Sequence, residues 1–187
     1  MKGGNMEFEP TAIPEVVLIK PKVFADARGH FFESWTAHKF AAAGLDLKFV
    51  QDNQNRSERH VLRGLHYQLT KPQGKLVRVV TGAVFDVAVD LRRRSPTFGR
   101  WVGAELSADN HHMLWVPPGF AHGFMVLSET AHFLYKCTQF YYPEDERAIR
   151  WDDADLGVEW PLPTGIAPVI SGRDAAARRF RDVEYYP

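Results

Sequence analysis

Apolar and polar residues alternate with a period of two through much of this chain. In residues 84–91, Phe85, Val87, Val89 and Leu91 share one face and Asp86 and Asp90 the other, the pattern of a strand with a mixed face. Similar short runs recur at 16–20, 29–35, 49–55, 62–68, 76–81, 100–106, 113–116, 123–127 and 132–140. Turn chemistry separates them, as in Lys71-Pro72-Gln73-Gly74, Thr81-Gly82, Ser95-Pro96, Pro117-Pro118-Gly119 and Tyr142-Pro143-Glu144-Asp145. This density of short strands predicts an all-β sandwich or barrel with a few short helices. Two segments read as helical: 36–43, ending at Gly44, and 175–180, with Asp174 as a candidate N-cap.

Length fits one domain over residues 1–187, with 45% apolar residues to fill its core, and residues 1–5 read as a flexible extension ahead of Met6. The 23 basic and 23 acidic residues cancel, so no charge footprint for nucleic acid is visible. No apolar run reaches the roughly 18 residues of a membrane span, and the first residues lack the apolar stretch of a signal peptide. A single cysteine, Cys137, rules out an internal disulfide and suits the cytoplasm.

Three clusters could carry chemistry. In Arg63-Gly64-Leu65-His66-Tyr67-Gln68, a strand places Gly64, His66 and Gln68 on one face, a base and an amide beside space left for a ligand, with Lys75 following across a turn. Taken singly, His66 could equally be a structural histidine. Next, Pro117-Pro118-Gly119-Phe120-Ala121-His122-Gly123-Phe124 resembles the Pro-x-Gly-x-x-His turn of the cupin superfamily, with His122 and Phe124 on one side. Metal-binding cupins present a His-x-His pair where this chain has His66-Tyr67-Gln68, and Lys75 adds a positive charge, so no catalytic metal is expected. His111 and His112 would point to opposite faces of a strand. The third cluster, around Tyr135, is either aromatic packing or a general acid.

Together with Gln51-Asp52-Asn53, the stretch from Val23 to Glu33, Ile149-Arg150-Trp151 and Ser171-Gly172-Arg173-Asp174, these segments resemble the dTDP-4-dehydrorhamnose 3,5-epimerase family from about Met6 to Asp174. The resemblance implies a cupin-type jelly roll acting without cofactor on a dTDP-linked 4-keto-6-deoxy sugar, in dTDP-rhamnose biosynthesis. It also implies a homodimer whose N-terminal strands reach across to the partner. His66 falls on the family's base, Asp174 on its paired carboxylate, Tyr135 on the acid and Lys75 on the cation near the enolate oxygen. Arg63, Gln51 and Asn53 fall on substrate-binding positions, with Asp86 and His122 lining the pocket. Arg28 and Glu33 fall on contacts to the nucleotide end, and Phe31 and Tyr141 could flank the base and sugar. Tyr141, rather than Tyr142, precedes Pro143 by two residues as in the family. His30 stands where many relatives have Phe.

The expected reaction is epimerisation at C3 and C5 of dTDP-4-keto-6-deoxyglucose to dTDP-4-keto-L-rhamnose. A mono-epimerase at C3 or C5 would use the same groups. A metal-dependent cupin is disfavoured by Gln68 and Lys75, and a non-catalytic sugar-binding cupin by the joint presence of a base and an acid.

Overall fold

A computed structural model describes residues 6–187; the expected extension at residues 1–5 lies outside them. Two antiparallel sheets face each other. The larger has six strands in the order β1 (Glu7–Pro10), β2 (Val17–Lys20), β10 (Met113–Val116), β7 (Lys75–Thr81), β12 (Thr130–Cys137) and β5 (Gln51–Glu58). The smaller runs β13 (Glu146–Ala148), β6 (Leu62–Gln68), β11 (Phe120–Val126), β8 (Ala83–Asp90) and β9 (Trp101–Ser107). Consecutive strands often lie in opposite sheets, as β6, β7 and β8 do, and this crossing makes the jelly roll. A separate hairpin, β3 (Val23–Asp26) and β4 (Gly29–Phe32), projects with nearly every residue exposed.

Apolar side chains pack on both faces of each sheet, although the outer face of the six-stranded sheet is open at β5, where Asp52, Gln54 and Arg56 are exposed. Between the sheets, Val77, Leu114 and Phe133 meet Val84, Ala88 and Phe124. Outside the six-stranded sheet, Ile19, Leu76 and Met113 pack under Phe40 of α1 (Ala37–Ala42). Outside the five-stranded sheet, Leu65, Val87, Val89 and Ala121 are buried beneath Ile149, Leu156 and Tyr186 of the C-terminal segment. Burial of such aliphatic side chains stabilises by about 1.5–3 kcal/mol each, so the irregular C-terminal segment is held firmly.

That covering decides which face of β8 looks inward. Its more apolar face, Val87 and Val89, turns away from the barrel, and the face bearing Val84, Asp86 and Ala88 lines the interior. Two expectations need correction. No helix spans 175–180: α2 is Gly172–Ala175 with Ser171 as N-cap, so Asp174 lies inside the helix, and a 3-10 turn follows at Phe180–Asp182. His111 and His112 precede β10 in a turn, His111 at φ 55°, so the alternation of a strand does not apply to them. Strands β1, β3 and β13 were not apparent from periodicity because none of them alternates buried with exposed residues.

Candidate active site

One cavity of about 550 Å³ opens between the sheets and is lined by Arg63, His66, Lys75, His122, Tyr135 and Asp174, among others. Four elements of the barrel and the C-terminal segment converge there. His66 comes from β6 and His122 from β11, where they are register partners. Lys75 begins β7 and Tyr135 sits on β12, both in the opposite sheet. Asp174 arrives with α2, after backbone hydrogen bonds between Val169 and both His60 and Leu62 dock the tail along β6.

Two glycines set the spacing of β6 and β11. A Cβ on Gly64 would stand 2.6 Å from the Gly123 Cα, and Gly64 adopts φ +126°. The space at Gly64 is therefore filled by the β11 backbone and is not left for a ligand, contrary to the expectation from its strand position. The close approach brings His66 and His122 side by side.

His66 Nε2 lies 2.6 Å from Asp174 Oδ1, leaving Nδ1 as the nitrogen available for proton transfer. Burial acts to raise the Asp174 carboxyl, but the hydrogen bond and charge of His66, with help from Ser171 and the Gly64 N–H, outweigh it and hold the pKa below its ordinary 3.8. Asp174 thus stays a carboxylate at neutral pH, able to orient the imidazole and stabilise its protonated form.

Burial lowers the pKa of Lys75, while Cys137, Glu146 and Asp86 favour its charged form. Its ammonium lies 5.9 Å from the centre of the Tyr135 ring. Burial, reinforced by Cys137 and Glu146, pushes the Tyr135 hydroxyl up to about 12, so it carries its proton throughout the neutral range. Asp86 is fully buried and bonds His122 Nε2 through both oxygens at 3.0 and 2.9 Å. Desolvation raises its pKa, opposed by His122 and then Lys75. Asp86 therefore supports His122 from behind rather than lining the cavity.

The other expected site residues fall into two groups. Gln51 accepts the Tyr141 N–H and donates to Asn53, whose amide reaches Cys137; neither lines the cavity, and Asn53 lines a separate pocket with Trp35 and Arg78. Tyr141 is 44% exposed and its hydroxyl donates to Glu146, which pairs with the cavity-lining Arg173. Arg28, Phe31 and Glu33 are not brought to the cavity: Arg28 pairs with Asp26 and Phe31 is exposed on the projecting hairpin, while Glu33 pairs with Lys39. Arg173, Glu146 and Ser171 were missed as site residues. Arg173 and Ser171 sit in the motif that contains Asp174, but no periodic pattern marks that irregular segment.

The arrangement can move protons. A His–Asp base on one sheet faces a protonated tyrosine and a lysine on the other, which suits enolate chemistry on a ring held between them.

Comparison with known proteins agrees with this geometry. The family model described as dTDP-4-dehydrorhamnose 3,5-epimerase matches residues 10–182. The chain is 56% identical over 177 residues to dTDP-4-dehydrorhamnose 3,5-epimerase of Pseudomonas aeruginosa, covering 94% of this chain and 97% of that protein. Its counterpart in Salmonella typhimurium is 54% identical over 169 residues, 89% of this chain and 91% of the other. Among solved structures, dTDP-6-deoxy-D-glucose-3,5-epimerase of Legionella pneumophila, in complex with dTDP-4-keto-L-rhamnose, superposes with a TM-score of 0.92 at 49% identity, covering 96% of this chain and 95% of that one.

Proposed function

The chain belongs to the dTDP-4-dehydrorhamnose 3,5-epimerase family, and from that premise we propose a mechanism in which His66, Lys75 and Tyr135 invert two carbons of one nucleotide-linked keto sugar. The reaction converts dTDP-4-keto-6-deoxyglucose to dTDP-4-keto-L-rhamnose. C3 and C5 flank the C4 ketone, so a proton on either is acidic only through an enolate. His66, oriented by Asp174, removes that proton through Nδ1. Lys75 donates to the developing oxyanion at O4, where a cation in a dehydrated site is worth most. Tyr135 returns a proton to the opposite ring face; once His66 has released its proton to solvent and Tyr135 has regained one from it, repetition at the second carbon completes the double inversion.

The observation that carries this mechanism is the placement of His66 and Asp174, 2.6 Å apart, on one sheet's side of a cavity whose other side holds Lys75 and Tyr135. Return of the proton to its original face would regenerate substrate, so opposed acid and base are what inversion requires. Arg63 and Arg173, also lining the cavity, supply the guanidinium forks that suit a pyrophosphate.

Two finer points belong to the same proposal. The enzyme works as a cytoplasmic homodimer, and the hairpin β3–β4 lends Arg28, Phe31 and neighbouring Glu33 to the nucleotide end of the partner's site. What supports this is the exposure of Phe31, at 71%, and Phe24, at 53%, on a segment that a single chain leaves uncovered. Among the described N-terminal strands, β1 and β2 pair within the chain's own sheet, whereas β3 and β4 pair only with each other, which suits the hairpin to reach a partner.

Incubation with dTDP-4-keto-6-deoxyglucose in deuterated water tests the mechanism. Deuterium is expected at both C3 and C5, with exchange abolished in His66→Ala and inversion blocked in Tyr135→Phe. Label at one carbon alone would make the enzyme a mono-epimerase, and unimpaired exchange and inversion in the variants would refute these roles.

A further inference from the structure

We propose that Gln68 is a positioning residue for nucleotide recognition, holding from the core the loop that presents Tyr141 beside Glu146 and, through it, the cavity-lining Arg173. This rests on the reading of Tyr141 as a contact of the substrate's nucleotide end.

Gln68 lies two residues from His66 on β6 and is 3% exposed. Its amide nitrogen donates to Lys71 O at 2.7 Å and Phe140 O at 3.1 Å, and its amide oxygen accepts the Tyr142 N–H at 2.8 Å. Both of its N–H groups and its oxygen are thereby engaged. Two more glutamines complete the frame. Gln51 accepts the Tyr141 N–H at 2.9 Å, and Gln73 donates to Gln139 O at 2.8 Å. Four consecutive residues, 139–142, thus have a backbone group bound by a side-chain amide, in a loop that lies outside the strands.

A segment without a strand partner must satisfy its backbone polar groups by other means. Only a primary amide offers two donors and an acceptor in one rigid plane, so a single buried Gln68 can grip the loop on both sides of Tyr141. At the other end of the same side chain, the Tyr141 hydroxyl is fixed by Glu146 at 2.9 Å, and Glu146 is paired with Arg173. The ring is therefore exposed and yet anchored at backbone and hydroxyl. An aromatic face held in this way binds a planar heterocycle with little ordering cost, which is the chemistry a nucleobase offers.

The same residue links this platform to the base. Gln68 and His66 share a strand, so the distance from nucleobase platform to reacting carbon is set by the rigid β6 backbone. The position that supplies a metal ligand in other cupins is here occupied by an amide spent wholly on the loop.

Steady-state kinetics of the full-length enzyme with Gln68→Met, Tyr141→Ala and the double variant test the proposal. Gln68→Met should raise KM about tenfold while kcat falls less than twofold, the signature of lost uniform binding. Because Gln68 acts through Tyr141, the double variant should bind no worse than Tyr141→Ala alone. A merely structural role would lower the melting temperature and kcat with KM unchanged, and that result, or KM effects that multiply in the double variant, would overturn the proposal. An unchanged KM in Tyr141→Ala would instead remove its premise, a failure visible without any Gln68 variant. Should Gln68→Met fail to fold, Gln73→Ala, which deletes only the bond to Gln139, should raise KM about threefold and again not add to Tyr141→Ala.

Discussion

Asp174 and His66 are 108 residues apart in the chain and 2.6 Å apart in space. The carboxylate is held ionised by its hydrogen bonds, so it fixes one imidazole nitrogen as donor and leaves the other to serve as base in the proposed mechanism. Replacing it with a neutral amide removes both the orientation and the charge that favours the imidazolium. Asp174→Asn should lower kcat by roughly a hundred- to ten-thousand-fold with a far smaller change in KM, as measured by epimerisation kinetics. A loss confined to KM would make Asp174 a binding group instead. At this scale the sequence was informative about residue type: His66, Lys75 and Tyr135 stand out by chemistry, although His66 alone was as compatible with a structural role. Arg173 and Glu146 were not legible, since a cation in a four-residue helix and a carboxylate in a three-residue strand look like solvated surface until their partner is seen.

Among the elements, β8 shows how alternation can be read correctly and its direction still be left open. Residues 84–91 alternate as a strand should, but Val87 and Val89 face the C-terminal segment and Asp86 faces the interior. The same strand ends in Asp90, whose buried carboxylate gathers Arg92, Ser95 and Thr97 and so folds the following turn. Burial alone would raise the pKa of Asp90, but these bonds outweigh it and bring it down to about 2 from 3.8. A folded value below the unfolded one stabilises the protein above about pH 4, and the contribution is lost as pH falls toward 2. The shift corresponds to about 2 kcal/mol, so Asp90→Asn should lower the melting temperature near neutral pH by roughly 4–8 °C. Its stability should also fall less steeply than the parent's between about pH 4 and pH 2. Parallel acid profiles in thermal melts would show that Asp90 is not the responsible group.

At the scale of the whole molecule, the hairpin is exposed along nearly its full length in a single chain, with Arg28 and Phe31 displayed near its turn. In the proposed homodimer a second copy covers the Phe31 ring, which is 71% exposed in the single chain. Phe31→Asp should weaken self-association, read by sedimentation at micromolar protein. It should also raise KM several-fold while the melting temperature of the barrel stays within a few degrees, since Phe31 is outside its cores. Unchanged association and unchanged KM would remove the hairpin from both roles.

Local pattern and residue chemistry sufficed for most of the strands and turns and for marking candidate proton-transfer groups, because period-two burial and proton-transfer capacity are properties of short stretches. The stretch from Leu62 to Gln68 and the motif ending in Asp174 could be read in that way without knowing how they meet. Long-range packing settled the rest. The crossing of β6 and β7 into opposite sheets set His66 opposite Lys75 and Tyr135, the tail laid over β8 turned Asp86 inward, and its docking along β6 delivered Asp174 to His66. None of these follows from alternation, which says that a strand has two faces but not what covers each.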